Sequence, residues 1–166
     1  MDNKLKNKNY KMAYTPEKDY LYAKINAGQS TDFTTADHVK FDTIIKQRGT
    51  GITLDTTTAY TNTANVDSVG RFTLTNGKTY KISITLRVTT SSSAITSAFI
   101  IRNSDTSTDI GDYFVIYPFT FSSNHGSNEK CTHIFTATNN RYEIRFYNGN
   151  TTVITPNTSA ILIEEI

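Results

Sequence analysis

The sequence predicts an all-β protein, an antiparallel sandwich or barrel of about eight to ten short strands. Three observations predict it. Isoleucine outnumbers leucine about threefold, and threonine, tyrosine and phenylalanine are plentiful, all residues that suit a pleated surface. Residues 70–88 alternate apolar and polar with a strict period of two, interrupted only by Asn76-Gly77, a dipeptide that tolerates positive φ and so marks a tight turn. No window carries the 3.6-residue apolar period of an amphipathic helix.

Taken in order, residues 1–24 are polar and dotted with Tyr10, Tyr14, Tyr20 and Tyr22, and Pro16 discourages a continuous helix. They read as an extended arm with one short helical turn over 17–23, so that residues 1–30 form an arm and 31–166 the domain. The first strand is expected at 38–45, where Val39 and Phe41 alternate with Lys40 and Asp42, and a short one follows at 52–55. Residues 55–69 form a Thr/Asn-rich connection. In 70–88, Phe72 and Leu74 share one face before the turn, and Tyr80, Ile82, Ile84, Leu86 and Val88 share one after it. Ala98–Arg102 is an apolar strand and 103–111 a polar loop. Residues 112–121 are dense in aromatics, which suggests burial on both faces. Strands at 130–138, 142–147 and 160–166 complete the set. At 166 residues the chain has the size of one domain able to bury a core without metal or disulfide; Cys131 is the only cysteine.

Three segments, DHVKFDTIIKQRGTGITLD, GRFTLTNGKTYKISITLRV and SAILIEEI, resemble the trimeric jelly rolls of the tumour necrosis factor and complement globular-head superfamily. They are most similar to the compact versions found in bacteriophage and bacterial surface proteins. The best motif is Gly70 to Tyr80, in which Phe72 packs inward, Gly77 permits the turn and Tyr80 starts the next inner face. The resemblance covers about residues 36–166 and implies an antiparallel jelly roll and a homotrimer. A monomeric sandwich would leave strand edges and apolar surface that threefold packing covers. Tyr113, Val115, Tyr117 and Phe119, with Ile161, Ile163 and Ile166 near the end of the chain, are the candidate trimer contacts, although core burial explains many of them equally well.

Chemistry is sparse. His38, His125, His133 and Cys131 offer ring nitrogens and a thiol, but only Cys131 and His133 fall on one face of one strand, too few for zinc. Asp105, Asp109 and Asp112 lack the spacing of a calcium loop. No Gly-x-Ser-x-Gly elbow or phosphate loop is present, and Glu143, Glu164 and Glu165 read as solvent-exposed strand residues. Neither enzyme activity nor a cofactor is expected. Tyr60 with Asn62, and Tyr147 with Asn148, could stack on and hydrogen-bond a sugar, though turn chemistry explains them too.

The net charge of +2 is too small to imply nucleic acid as a partner, and no apolar run is long enough to span a membrane. Lys4, Lys6, Lys8, Tyr10, Lys11 and Tyr14 make the first residues basic and aromatic, suited to anchoring on a larger particle; the alternative is a solvated tail. Residues 1–20 hold no apolar signal segment, so synthesis in the cytoplasm is expected. The expected role is a structural virion protein of a bacteriophage: a trimeric head-fibre, capsid-decoration or tail-fibre component that contacts other capsid or tail proteins through the arm. The alternatives are a tip domain binding a host receptor or glycan, and a bacterial surface or spore-coat trimer.

Overall fold

A computed structural model describes residues 17–26, 37–56, 69–90, 97–116, 125–148, 152–154 and 158–166. Among these residues there are eleven strands in two antiparallel sheets and no helix; none is therefore long and apolar enough to cross a membrane. The six-stranded sheet contains β1 (Tyr20–Lys24), β2 (Thr43–Arg48), β5 (Thr79–Thr90), β8 (His125–Thr136), β10 (Thr152–Ile154) and β11 (Ala160–Glu165). Its order is β10-β5-β11-β1-β2, with β8 on β5 as well. The five-stranded sheet, order β3-β4-β9-β6-β7, contains β3 (Ile52–Leu54), β4 (Phe72–Leu74), β6 (Ser97–Asn103), β7 (Thr108–Ile116) and β9 (Arg141–Asn148). The long-range couples β1·β11, β5·β8 and β6·β9 wind the chain into a jelly roll.

The core lies between the sheets and follows the period of two. Phe72, Leu74, Tyr80, Ile82, Ile84, Leu86 and Val88 all point inward, as the alternation predicts. The buried tyrosines keep their hydroxyls bonded at the rim of the core. Tyr142 Oη accepts the backbone N–H groups of Thr138 and Asn139, at 3.0 and 3.2 Å, and Tyr80 Oη accepts that of Thr75 at 3.1 Å. The Asn76-Gly77 turn does not close a hairpin. It carries the chain from β4 in one sheet to β5 in the other, with Gly77 at φ 80°. Gly70 is needed for a different reason: a Cβ there would stand 2.5 Å from both Lys40 Cα and the Val39 carbonyl oxygen.

Several expected boundaries move. The arm expected over 1–30 does not hold for Tyr20–Lys24; residues 1–16 lie outside the described residues. Tyr20–Lys24 is a strand lying between β11 and β2, with Leu21, Ala23 and Ile25 fully buried, and no helical turn forms among the described residues 17–23. Pairing with β11 and β2 satisfies the backbone of this segment on both sides, whereas a single helical turn over 17–23 would leave most of its N–H and C=O groups without an intrahelical partner. The strand expected at 38–45 starts at Thr43; before it, His38 makes a single bridge to Arg145, while Val39 and Phe41 are buried. The expected loop 103–111 shrinks to a turn over 104–107. Asn103 Oδ1 accepts the N–H groups of Asp105 and Thr106 there, and β7 then begins at Thr108. Burial on both faces of 112–121 does not hold for its described part, since Asp112 and Tyr113 are exposed. Residues 117–121 lie outside the described residues.

Candidate subunit interface and surface sites

The outward face of the six-stranded sheet is built by register. Lys46, Tyr22, Leu162, Ser83 and Thr132 stand side by side across β2, β1, β11, β5 and β8, and Arg48, Tyr20, Glu164, Lys81 and Ile134 form the next row. Tyr22 is 38% exposed, Ile134 62% and Ile166, just beyond β11, 47%. Between them lie hydroxyls that bond one another: Ser83 to Thr132 at 3.2 Å and Thr79 to Thr136 at 3.0 Å. Part of the charge is neutralised, by Lys81–Glu164 at 3.2 Å on the face and by Lys78–Glu165 at 2.9 Å beside it. Glu165, with its hydrogen bond and charge, raises the Lys78 pKa. On β2, Lys46 and Arg48 sit 5.6 and 5.0 Å from the Tyr20 ring centroid. Exposed isoleucines and tyrosines around self-satisfied polar groups form a surface that can be desolvated at modest cost.

This face was reached by the sequence expectation only at Ile166. Ile161 and Ile163 are fully buried, opposite Ile84 and Ile82 of β5, so they have no surface to offer a second subunit. In AILIEE the two faces are Ile161/Ile163 and Leu162/Glu164, and the second is the outward one. Tyr113 is 45% exposed and Val115 half-buried, but both are on the five-stranded sheet, directed away from the core on the opposite side of the sandwich from Ile166. Tyr117 and Phe119 lie outside the described residues. Tyr22, Leu162 and Ile134 were missed, and the signal for them was the alternation itself.

Glu143, expected at the surface, is 2% exposed. It faces outward on β9 but is covered where His38 bridges β9. Arg71 Nε donates to its Oε2 at 2.9 Å, Ser104 Oγ to the same oxygen at 3.2 Å, and Arg145 lies 3.3 Å from Oε1. His38 Nδ1 is 4.0 Å from Oε2, and its Nε2 is 2.7 Å from the Val69 carbonyl oxygen, which makes Nε2 the protonated nitrogen. Burial pushes the Glu143 pKa up, but His38, Arg71 and Arg145 outweigh it and hold the carboxyl below its ordinary range. Burial lowers the His38 pKa, against the opposing pull of Glu143 and the Val69 carbonyl.

No group of three metal-ligating side chains occurs among the described residues. Cys131 and His133 share the inward side of β8, both half-buried; burial raises the thiol pKa and lowers that of the ring, the latter against Asp112. The acids of the β6–β7 turn are engaged by arginines, Asp105 by Arg141 at 2.8 Å and Asp109 by Arg102 at 3.1 Å. Tyr147 is 42% exposed and stacks on Tyr113 with ring centroids 3.9 Å apart. Asn148 ends β9, opposite Ala98. Tyr60 and Asn62, the anchor residues Lys4, Lys6, Lys8, Tyr10, Lys11 and Tyr14, and the His125 side chain lie outside the described residues.

No protein-family model matches the chain, and no curated protein matches it in sequence. Solved structures do match in fold. The Eiger TNF of S. frugiperda superimposes with a TM-score of 0.54 at 12% identity, covering 90% of this chain and 92% of that one. Murine APRIL at pH 8.5 gives 0.55 at 8% identity, over 90% and 100%. The globular domain of zebrafish complement 1qA gives 0.51 at 10% identity, over 88% and 94%. The chain therefore has the jelly-roll fold of the TNF and C1q globular domains.

Proposed function

Starting from that fold, we propose that the chain is a non-catalytic structural protein of a bacteriophage particle, a homotrimer acting as head fibre, capsid decoration or tail-fibre component. The observation that carries the trimer is the outward face of the six-stranded sheet, where Tyr22, Leu162, Ile134 and Ile166 surround hydroxyls and ion pairs that already satisfy one another. A threefold assembly would bury the apolar side chains and the ion pairs at the centre of this face and leave Lys46 and Arg48, on the edge strand β2, at its rim. Low charge, abundant hydroxyl and amide side chains and the basic, tyrosine-bearing first residues support the particle role, with Lys4, Lys6, Lys8, Tyr10, Lys11 and Tyr14 contacting other capsid or tail proteins. On this reading the protein is made in the host cytoplasm and ends in the virion. The test is incorporation: a chain lacking residues 1–16 should remain a soluble trimer yet be missing from purified particles by mass spectrometry. Normal incorporation of that truncation would refute the anchoring role.

A second reading, a tip domain that binds a host-surface glycan, is favoured by one observation, the exposed contact between Tyr113 and Tyr147.

A further inference from the structure

Two irregularities of the five-stranded sheet fall on one spot. β6 runs between β9 and β7, and its register with each slips within three residues. On the β9 side Ala98 faces Asn148 and Phe99 faces Phe146, which leaves Tyr147 over. On the β7 side Phe99 faces Phe114 and Ile101 faces Ile110, which sets residues 111–113 across from Ile100 alone. A bulge bends its strand and re-aims the extra residue's side chain. Both bulges here deliver a tyrosine, and the two rings meet at 3.9 Å with planes 30° apart. Ile100 lies between the bulges and is 2% exposed, although its neighbours Phe99 and Ile101 take the core side. The rings themselves stay 45% and 42% exposed.

Two positions along β6 from Ile100, on the same face, Arg102 pairs with Asp109 of β7 at 3.1 Å. That pair has no net charge, and Arg145, in register with Ile100 on β9, is ion-paired with Glu143 at 3.3 Å, so both arginines beside the tyrosines are already engaged by carboxylates, which disfavours an anionic ligand. It offers aromatic surface, two phenol hydroxyls, and a carboxylate beside a guanidinium. Aromatic surface suits the apolar C–H face of a sugar ring, and the polar groups suit its hydroxyls. From this geometry we infer that Tyr113 and Tyr147, with the Asp109–Arg102 pair beside them, form a binding site for a neutral cell-surface glycan recognised through a hexopyranose ring. The site rests on the glycan-binding reading and gives it a location. It also assigns Tyr113 to ligand rather than to the subunit contact.

The experiment probes an array of neutral oligosaccharides bearing glucose, galactose and N-acetylhexosamines with the purified full chain and its variants. Tyr147→Ala and Tyr113→Ala should each weaken binding about tenfold, with melting temperature and oligomeric mass retained. Tyr147→Phe, which keeps the ring and is the safer variant for folding, should lose less, and Thr53→Ala at the far side of the sheet should lose nothing. Undiminished binding in all three tyrosine variants would overturn the site and leave the glycan reading standing. A wild-type chain that binds no sugar on the array would overturn both. A fall in oligomeric mass on Tyr113→Ala would assign the patch to subunit contact and overturn the site as well.

Discussion

Glu143 illustrates how much one carboxylate can hold. It gathers Arg71, Arg145, Ser104 and His38 from four separate stretches of chain, so removing it takes the carboxylate from two largely covered guanidinium groups at once. Glu143→Ala should cost about 3–5 kcal/mol in chemical denaturation. The same cluster sets a pH dependence. The unfolded His38 takes up a proton as pH falls through 6.5, whereas burial makes the folded ring resist, so stability is lost below that point. Glu143 acts in the same direction lower down: the unfolded carboxyl protonates from 4.5, the folded one later, and its contribution is lost as pH falls through that range. The melting temperature should therefore drop from pH 7 to pH 4, and His38→Gln should flatten the upper part of that slope. Gly70 is equally specific. Gly70→Ala would drive a methyl into the Lys40 backbone and should destabilise by several kcal/mol, whereas Gly77→Asn, with open space around it and only the φ of 80° to accommodate, should cost about 1 kcal/mol or less. The glycine and phenylalanine of GRFTL were legible in the sequence because turn and period announce them. The burial of Glu143 was not, because alternation correctly places it outside and the groups that cover it, His38, Arg71 and Ser104 among them, come from distant stretches of chain.

At the scale of elements, β1 separates local signal from long-range cause. Leu21, Ala23 and Ile25 do alternate, but five residues behind a proline are too short a pattern, and Tyr20–Lys24 becomes a strand only because β11 and β2 flank it. Leu21→Ala should cost about 2–5 kcal/mol, read from a thermal or urea transition. Deletion of residues 1–30 should abolish the cooperative transition, since it takes out a strand from inside the sheet, while deletion of 1–16 should preserve it. Strands with a full period of two, such as β5 and β9, were legible; β2 was not. Its isoleucines, Ile44 and Ile45, break the alternation and are 38% and 48% exposed at the sheet edge.

For the whole molecule, alternation identifies which residues share a face but not which face meets the other sheet. In β11 each set mixes apolar residues with a glutamate, Ala160, Leu162 and Glu164 against Ile161, Ile163 and Glu165, so alternation alone does not say which set is available to a neighbour. The outward face, once identified, predicts assembly: light scattering should give three times the 18.6 kDa chain mass, and Ile134→Asp should reduce it to that of a monomer. The pairing of β1 with β11 has a further consequence, in time rather than space. Tyr20 faces Glu164 and Lys24 faces Ala160, so the ribosome must add more than a hundred residues after β1 before its partner exists. At cellular rates of synthesis that is on the order of ten seconds. Until β11 slides in between β1 and β5, an unpaired edge and the side chains of Leu21 and Ile25 face solvent, and neither sheet closure nor assembly can run ahead of translation.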